Sequence, residues 1–75
     1  MKKTKEHLTM LEEMGNLARN WRIGEGMTRK ELFRLSGVHM NTIKRLEDGE
    51  NITILNLKKI ADGLGVDLSD LLPEE

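Results

Sequence analysis

The chain has no cysteine and no tyrosine, a single proline, and two aromatic side chains, Trp21 and Phe33. Without thiols there is neither a disulfide framework nor a thiolate metal site to reinforce a small fold. The scarcity of aromatic rings argues against a sheet that stacks the bases of single-stranded nucleic acid. No apolar run approaches the roughly 20 residues needed to span a membrane. The opening MKKTKEHLTM lacks the apolar core of a secretory signal. A soluble, cytoplasmic protein without a membrane partner is expected. Nor is there a nucleophile set beside a base, a phosphate-cradling glycine loop or a ligand cluster, and His7 stands alone. No catalytic residue, metal or cofactor is expected, and an enzyme is the poorest reading.

What is present is aliphatic and charged. At 75 residues the chain makes one small domain, whose core must come from Leu, Ile, Val, Ala and five Met. Formal net charge is −1, but its distribution is uneven. Residues 1–46 carry ten Lys or Arg against five Glu, whereas residues 47–75 carry two Lys against eight Asp or Glu. A basic end and an acidic end create local fields that the total conceals, and a local field is what an anionic partner meets.

Residues 1–8 read as a flexible basic tail, residues 9–72 as the folded domain and residues 73–75 as a short C-terminal tail. Thr9-Met-Leu-Glu12 has the spacing of a capping box. Behind it Met10, Leu11, Met14, Leu17, Ala18 and Trp21 recur at intervals of three and four, an amphipathic helix ending near Gly24. Met10 and Leu11 lie beyond what a minimal domain needs and either cap the core or face a partner. Thr28-Arg-Lys-Glu31 is a second capping box, with Met27 and Leu32 placed as a hydrophobic staple. Leu32, Phe33 and Leu35 form the buried side of this second helix, and Ser36-Gly37 ends it. A third helix runs from His39 to about Glu47, with Val38, Ile43 and Leu46 inward and Met40, Asn41, Lys44 and Arg45 outward.

Thr53 is placed to cap a fourth helix with Ile54, Leu57, Ile60, Ala61 and Leu64 inward. Gly63 weakens that helix by about 1 kcal/mol relative to Ala, and Gly65 caps its end. Asp67-Leu-Ser-Asp70 starts a short fifth helix that Pro73 stops. No useful period-two alternation occurs. The expectation is an all-α, compact five-helix domain in which helices 2 and 3 form a helix-turn-helix.

From about Met14 to Leu72 the chain resembles the DNA-binding domain of the phage repressor/Cro family of helix-turn-helix regulators. The resemblance rests on Gly15, Arg19 and Arg22 in the first helix, Met27-Thr28 with Glu31-Leu32, and Gly37-Val38 at the turn. Further along, Ile43, Leu46-Glu47-Asp48-Gly49, Ile60-Ala61 and Leu64-Gly65-Val66 follow in order without large insertions. It implies a small transcriptional regulator that binds double-stranded DNA sequence-specifically, with residues 39–47 in the major groove. A homodimer is expected, because one helix reads few base pairs.

The resemblance also implies roles. Arg22 and Glu47 form a structural ion pair between the first helix and the end of the third. His39, Met40, Asn41 and Arg45 contact bases. Asn pairs with adenine N6 and N7, Arg with guanine O6 and N7, and Met with a thymine methyl. His39 stands where a Ser-like cap is usual, and a surface role without contact is the equal alternative. Thr28, Arg29, Lys30, Lys44 and Asn51 contact phosphates. Two departures stand out. Phe33 replaces the usual Ala where two helices approach, so its ring must swing outward or widen the crossing. Asp48 replaces the frequent Asn, whose amide would donate to a phosphate, and Glu50 follows it; both carboxylates repel a phosphate backbone. These acids and the Met-bearing first helix support an alternative, a protein-interaction module of the same fold with weak or secondary DNA binding. Leu68, Leu71 and Leu72 fill either the core or a dimer face.

Overall fold

Thr9, Thr28 and Thr53 each open a helix in the computed structural model, which describes residues 9–74. The expected tail at residues 1–8 therefore falls outside the described residues. Helix α1 spans Met10–Gly24, α2 Arg29–Ser36, α3 Met40–Glu47 and α4 Ile54–Leu64, followed by one 3-10 turn at Leu68–Leu71. Among the described residues there is no strand. Among the described residues four α-helices, not five, make the fold. The expected fifth is a single turn, because only a few residues separate the Gly65 cap from Pro73. So short a segment closes i→i+3 bonds more readily than a ladder of i→i+4 bonds. The Asp70 and Leu72 amides accordingly donate to the Asp67 and Ser69 carbonyls at 2.9 and 3.2 Å.

The capping boxes form as expected. Thr9 Oγ1 accepts from the Glu12 amide at 3.0 Å while Glu12 accepts from the Thr9 amide at 2.9 Å. Thr28 and Glu31 repeat the exchange at 3.0 and 2.8 Å. Thr53 Oγ1 accepts from the Asn56 amide at 3.1 Å. Each cap satisfies amides that the first helical turn leaves without partners.

The core joins all four helices. Ala18, Leu32, Val38, Ile43, Leu46, Leu57, Ile60, Ala61, Leu64 and Leu71 are buried, with Met14, Met27, Phe33, Ile52, Val66 and Leu68 packed around them. Leu71 is completely enclosed, which removes it from any dimer face. Leu35 and Ile54, expected inside, are 62% and 65% exposed. In α2 the inward direction is set by Leu32, Phe33 and Ser36. At about 100° per residue Leu35 falls to one side of Leu32, away from Phe33 and Ser36, at the solvent edge of this face. Ile54 begins α4, where helical period alone cannot say how far the neighbouring helix extends. Met10 is also exposed. Trp21 covers the closing turn rather than entering the core, its Nε1–H donating to the Asp70 carbonyl at 3.3 Å.

Two glycines set how closely helices approach. A Cβ on Gly15 of α1 would collide with the Leu46 carbonyl oxygen and stand 3.1 Å from that of Glu47. Backbone thus packs on backbone where α1 crosses the end of α3. Gly63, expected only to weaken α4, lets α4 approach α2, since a Cβ there would lie 2.9 Å from Ser36 Cβ. Its low helix propensity is offset by that packing.

Replacing Gly15 by Ala is expected to destabilise the domain by about 1–3 kcal/mol through overpacking. Gly24→Ala, with nothing within 4 Å of the added methyl, is expected to be neutral or to stabilise by up to about 1 kcal/mol. Urea unfolding followed by circular dichroism distinguishes the two. Equal effects from both would show that the α1–α3 approach is not tight.

Candidate nucleic-acid interface

The outer side of α3 is presented by a three-residue turn. Gly37 adopts φ +79°, its amide donating to the Phe33 carbonyl at 2.8 Å. The Val38 amide then donates to Ser36 Oγ at 3.0 Å, and buried Val38 anchors the turn. Next comes His39, the N-cap of α3, whose Nδ1 accepts from the Asn41 amide at 3.0 Å. That contact requires the tautomer with hydrogen on Nε2, so His39 can offer a partner one donor, Nε2–H. The half-buried Phe33 ring packs against the core and lies against the His39 imidazole, with centroids 5.1 Å apart and planes tilted by 48°. The residue that departs from the usual small one thereby supports the helix cap.

The opposite end of α3 is held by Glu47. Its carboxylate is 1% exposed and takes Arg22 in a two-pronged pair, Nε to Oε2 at 2.7 Å and Nη2 to Oε1 at 3.0 Å. Arg22 Nη1 donates in addition to the Met27 carbonyl at 2.8 Å. A carboxylate at a helix C-terminus opposes the helix dipole, and a buried one needs full pairing. A second cation helps: Arg29 reaches the same Glu47 Oε1 through Nε at 3.1 Å and Nη2 at 3.0 Å. Arg29 was expected to face phosphate. Its Nη1, on a side chain 36% exposed, makes no intramolecular hydrogen bond among the described residues.

The remaining expected contacts fall into two groups. Asn41 and Arg45 lie one turn apart on the exposed side of α3, with half-buried Met40 beside them. The Asn41 side-chain amide has no intramolecular hydrogen bond among the described residues. The two cations of α3 are already paired: Lys44 Nζ with Asp48 Oδ2 at 2.8 Å and Arg45 Nε with Glu50 Oε1 at 3.1 Å. The hydrogen bond from Lys44 holds the Asp48 carboxyl below the usual carboxylate range, and the charges of Lys44 and Arg29 reinforce it against slight desolvation. Thr28 and Lys30 are exposed at the start of α2, Thr28 already engaged in its cap. Asn51 is exposed in the loop after α3.

Sequence reasoning missed three features of this region: the Phe33–His39 contact, the second arginine on Glu47, and the carboxylates that occupy Lys44 and Arg45. The i,i+4 spacing of Lys44 and Asp48 was a readable signal for one of them. The Arg45–Glu50 pair depends on the turn that ends α3, and the other contacts on how helices pack.

Four helices with a capped second pair, a buried arginine–glutamate tie and an exposed polar side on α3 define a helix-turn-helix domain. A family model described as helix-turn-helix matches residues 19–71. The chain belongs to this family, the Cro/C1-type helix-turn-helix proteins. Among solved structures it is similar to the restriction-modification controller protein C.AhdI from Aeromonas hydrophila. Identity is 27% and the TM-score 0.78, covering 83% of this chain and 96% of that one. It is similar also to the clp gene regulator ClgR from C. glutamicum, at 26% identity and TM-score 0.78 over 87% and 86% of the two chains. A hypothetical transcription factor, NHTF from Neisseria, aligns at 26% identity and TM-score 0.82, covering 97% of this chain and 84% of that chain. A comparison with curated protein sequences finds no match. No helix among the described residues is long and apolar enough to cross a membrane.

Removing one partner of the buried tie is expected to be costly. Arg22→Ala strands Glu47 with only the half-exposed Arg29, and a loss of about 3–5 kcal/mol is expected in chemical denaturation. A loss below 1 kcal/mol would show that Arg29 suffices. For Asp48, a carbon-detected NMR titration is expected to place its midpoint below that of an unperturbed aspartate, and Lys44→Met to return it upward. Because its folded pKa is depressed, the stabilisation it contributes is present at neutral pH and lost as pH falls through that value. An Asp48 midpoint indifferent to Lys44 would refute the pairing.

Proposed function

We propose that this protein is a sequence-specific, double-stranded DNA-binding transcriptional regulator that inserts α3 into the major groove. The carrying observation is the outer side of α3, where Asn41 and Arg45 stand exposed one turn apart within a helix-turn-helix frame. Residues 9–72 form the binding unit. The similar solved structures described as a restriction-modification controller, a gene regulator and a transcription factor support the same reading.

In this proposal Asn41 offers its free amide to adenine N6 and N7, Arg45 its guanidinium to guanine O6 and N7, and Met40 an apolar contact to a thymine methyl. His39 donates through Nε2–H to a base or phosphate. Thr28, Arg29 through its unpaired Nη1, Lys30, Lys44 and Asn51 follow the phosphate backbone and set the docking angle. An eight-residue recognition helix covers only a few base pairs, so useful specificity calls for a homodimer on two half-sites about one turn apart. Exposed Ile54, Leu55 and Leu72 are apolar surface available to a second copy. Working on DNA, the protein acts in the cytoplasm and requires no cofactor.

The test is selection of bound duplexes from a random pool by the full chain, repeated with Asn41→Ala and Arg45→Ala. Each substitution is expected to relax the motif at one position, at about 1–3 kcal/mol per lost bidentate contact. Affinity is expected to fall steeply with salt. A motif unchanged by both substitutions would refute the base assignment. Absence of binding at low salt, with a protein partner retained instead, would favour the interaction module.

A further inference from the structure

We infer that Glu50 is the positioning residue that makes Arg45 a selective reader of guanine, rather than a carboxylate that merely weakens DNA binding. The inference deepens the proposed function and rests on α3 reading bases.

The placement of Glu50 is built into the way α3 ends. Asp48 caps the helix, Gly49 follows at φ +85°, and two bonds close the end in a Schellman motif. The Gly49 amide donates to the Leu46 carbonyl at 3.0 Å, and the Glu50 amide to the Arg45 carbonyl at 2.9 Å. The second bond fixes the Glu50 backbone against the backbone of Arg45 itself. The Glu50 side chain then returns to the same residue, Oε1 accepting from Arg45 Nε at 3.1 Å. Backbone and side chain of one residue thus engage both ends of its partner.

The atom chosen on Arg45 decides the consequence. A guanidinium offers five N–H groups in a rigid plane. Glu50 takes the one on Nε, and Nη1 and Nη2 make no intramolecular hydrogen bond among the described residues. Binding at Nε restrains rotation about the Cδ–Nε bond and leaves the terminal edge, the pair of Nη–H donors that matches guanine O6 and N7. The Glu50 charge acts in the same direction. It lowers the attraction of Arg45 for any nearby phosphate, a contact that needs charge but little geometry, more than for the base edge, which needs oriented donors. Both effects raise the ratio of specific to non-specific binding.

Two substitutions separate orientation from charge. Glu50→Ala removes both, whereas Glu50→Gln removes the charge and keeps an oxygen that can accept from Nε. The measurements are fluorescence-anisotropy titrations of the full chain with a labelled duplex carrying the selected motif, with its variants at the guanine assigned to Arg45, and with a random-sequence duplex. Both substitutions are expected to tighten random-duplex binding by up to about fivefold, the scale of an exposed ion pair, and to steepen the salt dependence. Only Glu50→Ala is expected to lose most of the guanine preference, which Glu50→Gln retains. In an Arg45→Ala background neither substitution should alter selectivity, which a merely structural role for Glu50 would still do. Guanine preference unchanged in a folded Glu50→Ala protein would overturn the inference while leaving the proposed function standing. A wild-type motif insensitive to Arg45→Ala would overturn the inference together with the base assignment of Arg45, and no duplex binding at all would overturn the proposed function as well.

Discussion

Everything that gives α3 its position depends on one buried carboxylate. Glu47 lies at the end of the helix where the backbone dipole is least hospitable to it, and almost no water reaches it. It is held there by Arg22 from α1 and Arg29 from α2, so three helices meet at a single side chain. A planar guanidinium bound through two nitrogens restricts angle as well as distance. Gly15 makes the arrangement feasible, since only a residue without a Cβ lets α1 lie on the Leu46 and Glu47 carbonyls. The tie contributes geometry at least as much as stability: breaking it leaves a buried carboxylate short of its main partner and releases the end of α3 from α1.

At the other end of α3 the restraint is softer and of a different kind. A histidine ring replaces the usual hydroxyl cap, and an aromatic contact with Phe33 holds it in place. Read alone, each departure weakens the domain: a bulky ring where helices approach, and an imidazole where a small acceptor is usual. Together they form one local unit, which explains how the interface tolerates both. The acidic residues after α3 behave similarly. Asp48 and Glu50 each take one cation of α3, so that its outer surface combines a free amide at Asn41 with cations already partnered. That pairing partly neutralises the outer side of α3, in keeping with a chain whose net charge is close to zero.

Much of this was legible before any coordinates. The capping boxes at Thr9 and Thr28, the turn at Gly37, the Arg22–Glu47 pair and the run of core aliphatics follow from local periodicity, cap chemistry and family resemblance. The errors share a cause. Leu35 and Ile54 carry apolar side chains at plausible helical positions, yet which direction is inward depends on the helix packed alongside. The fifth helix shrank to one turn because hydrogen-bond geometry in so short a segment favours the tighter spiral. Helix propensity assigns Gly63 only a penalty, and the proximity of Ser36 shows what that glycine permits.

By itself, then, the sequence determined where the four α-helices begin and end, most of the residues that supply the core, and that Asn41 and Arg45 share the outer side of α3. These are properties of spacing along one chain, governed by a helical repeat and by caps a few residues long. Tertiary structure alone decided that Arg29 joins Arg22 on Glu47 and that the Phe33 ring lies against His39. It decided, too, that Glu50 turns back onto Arg45. Each of these contacts depends on crossing angles or on the path of a loop, which pairwise spacing does not encode. The physical reason is that a side chain's partner is set by which backbone passes nearby, and that follows from how closely the helices pack.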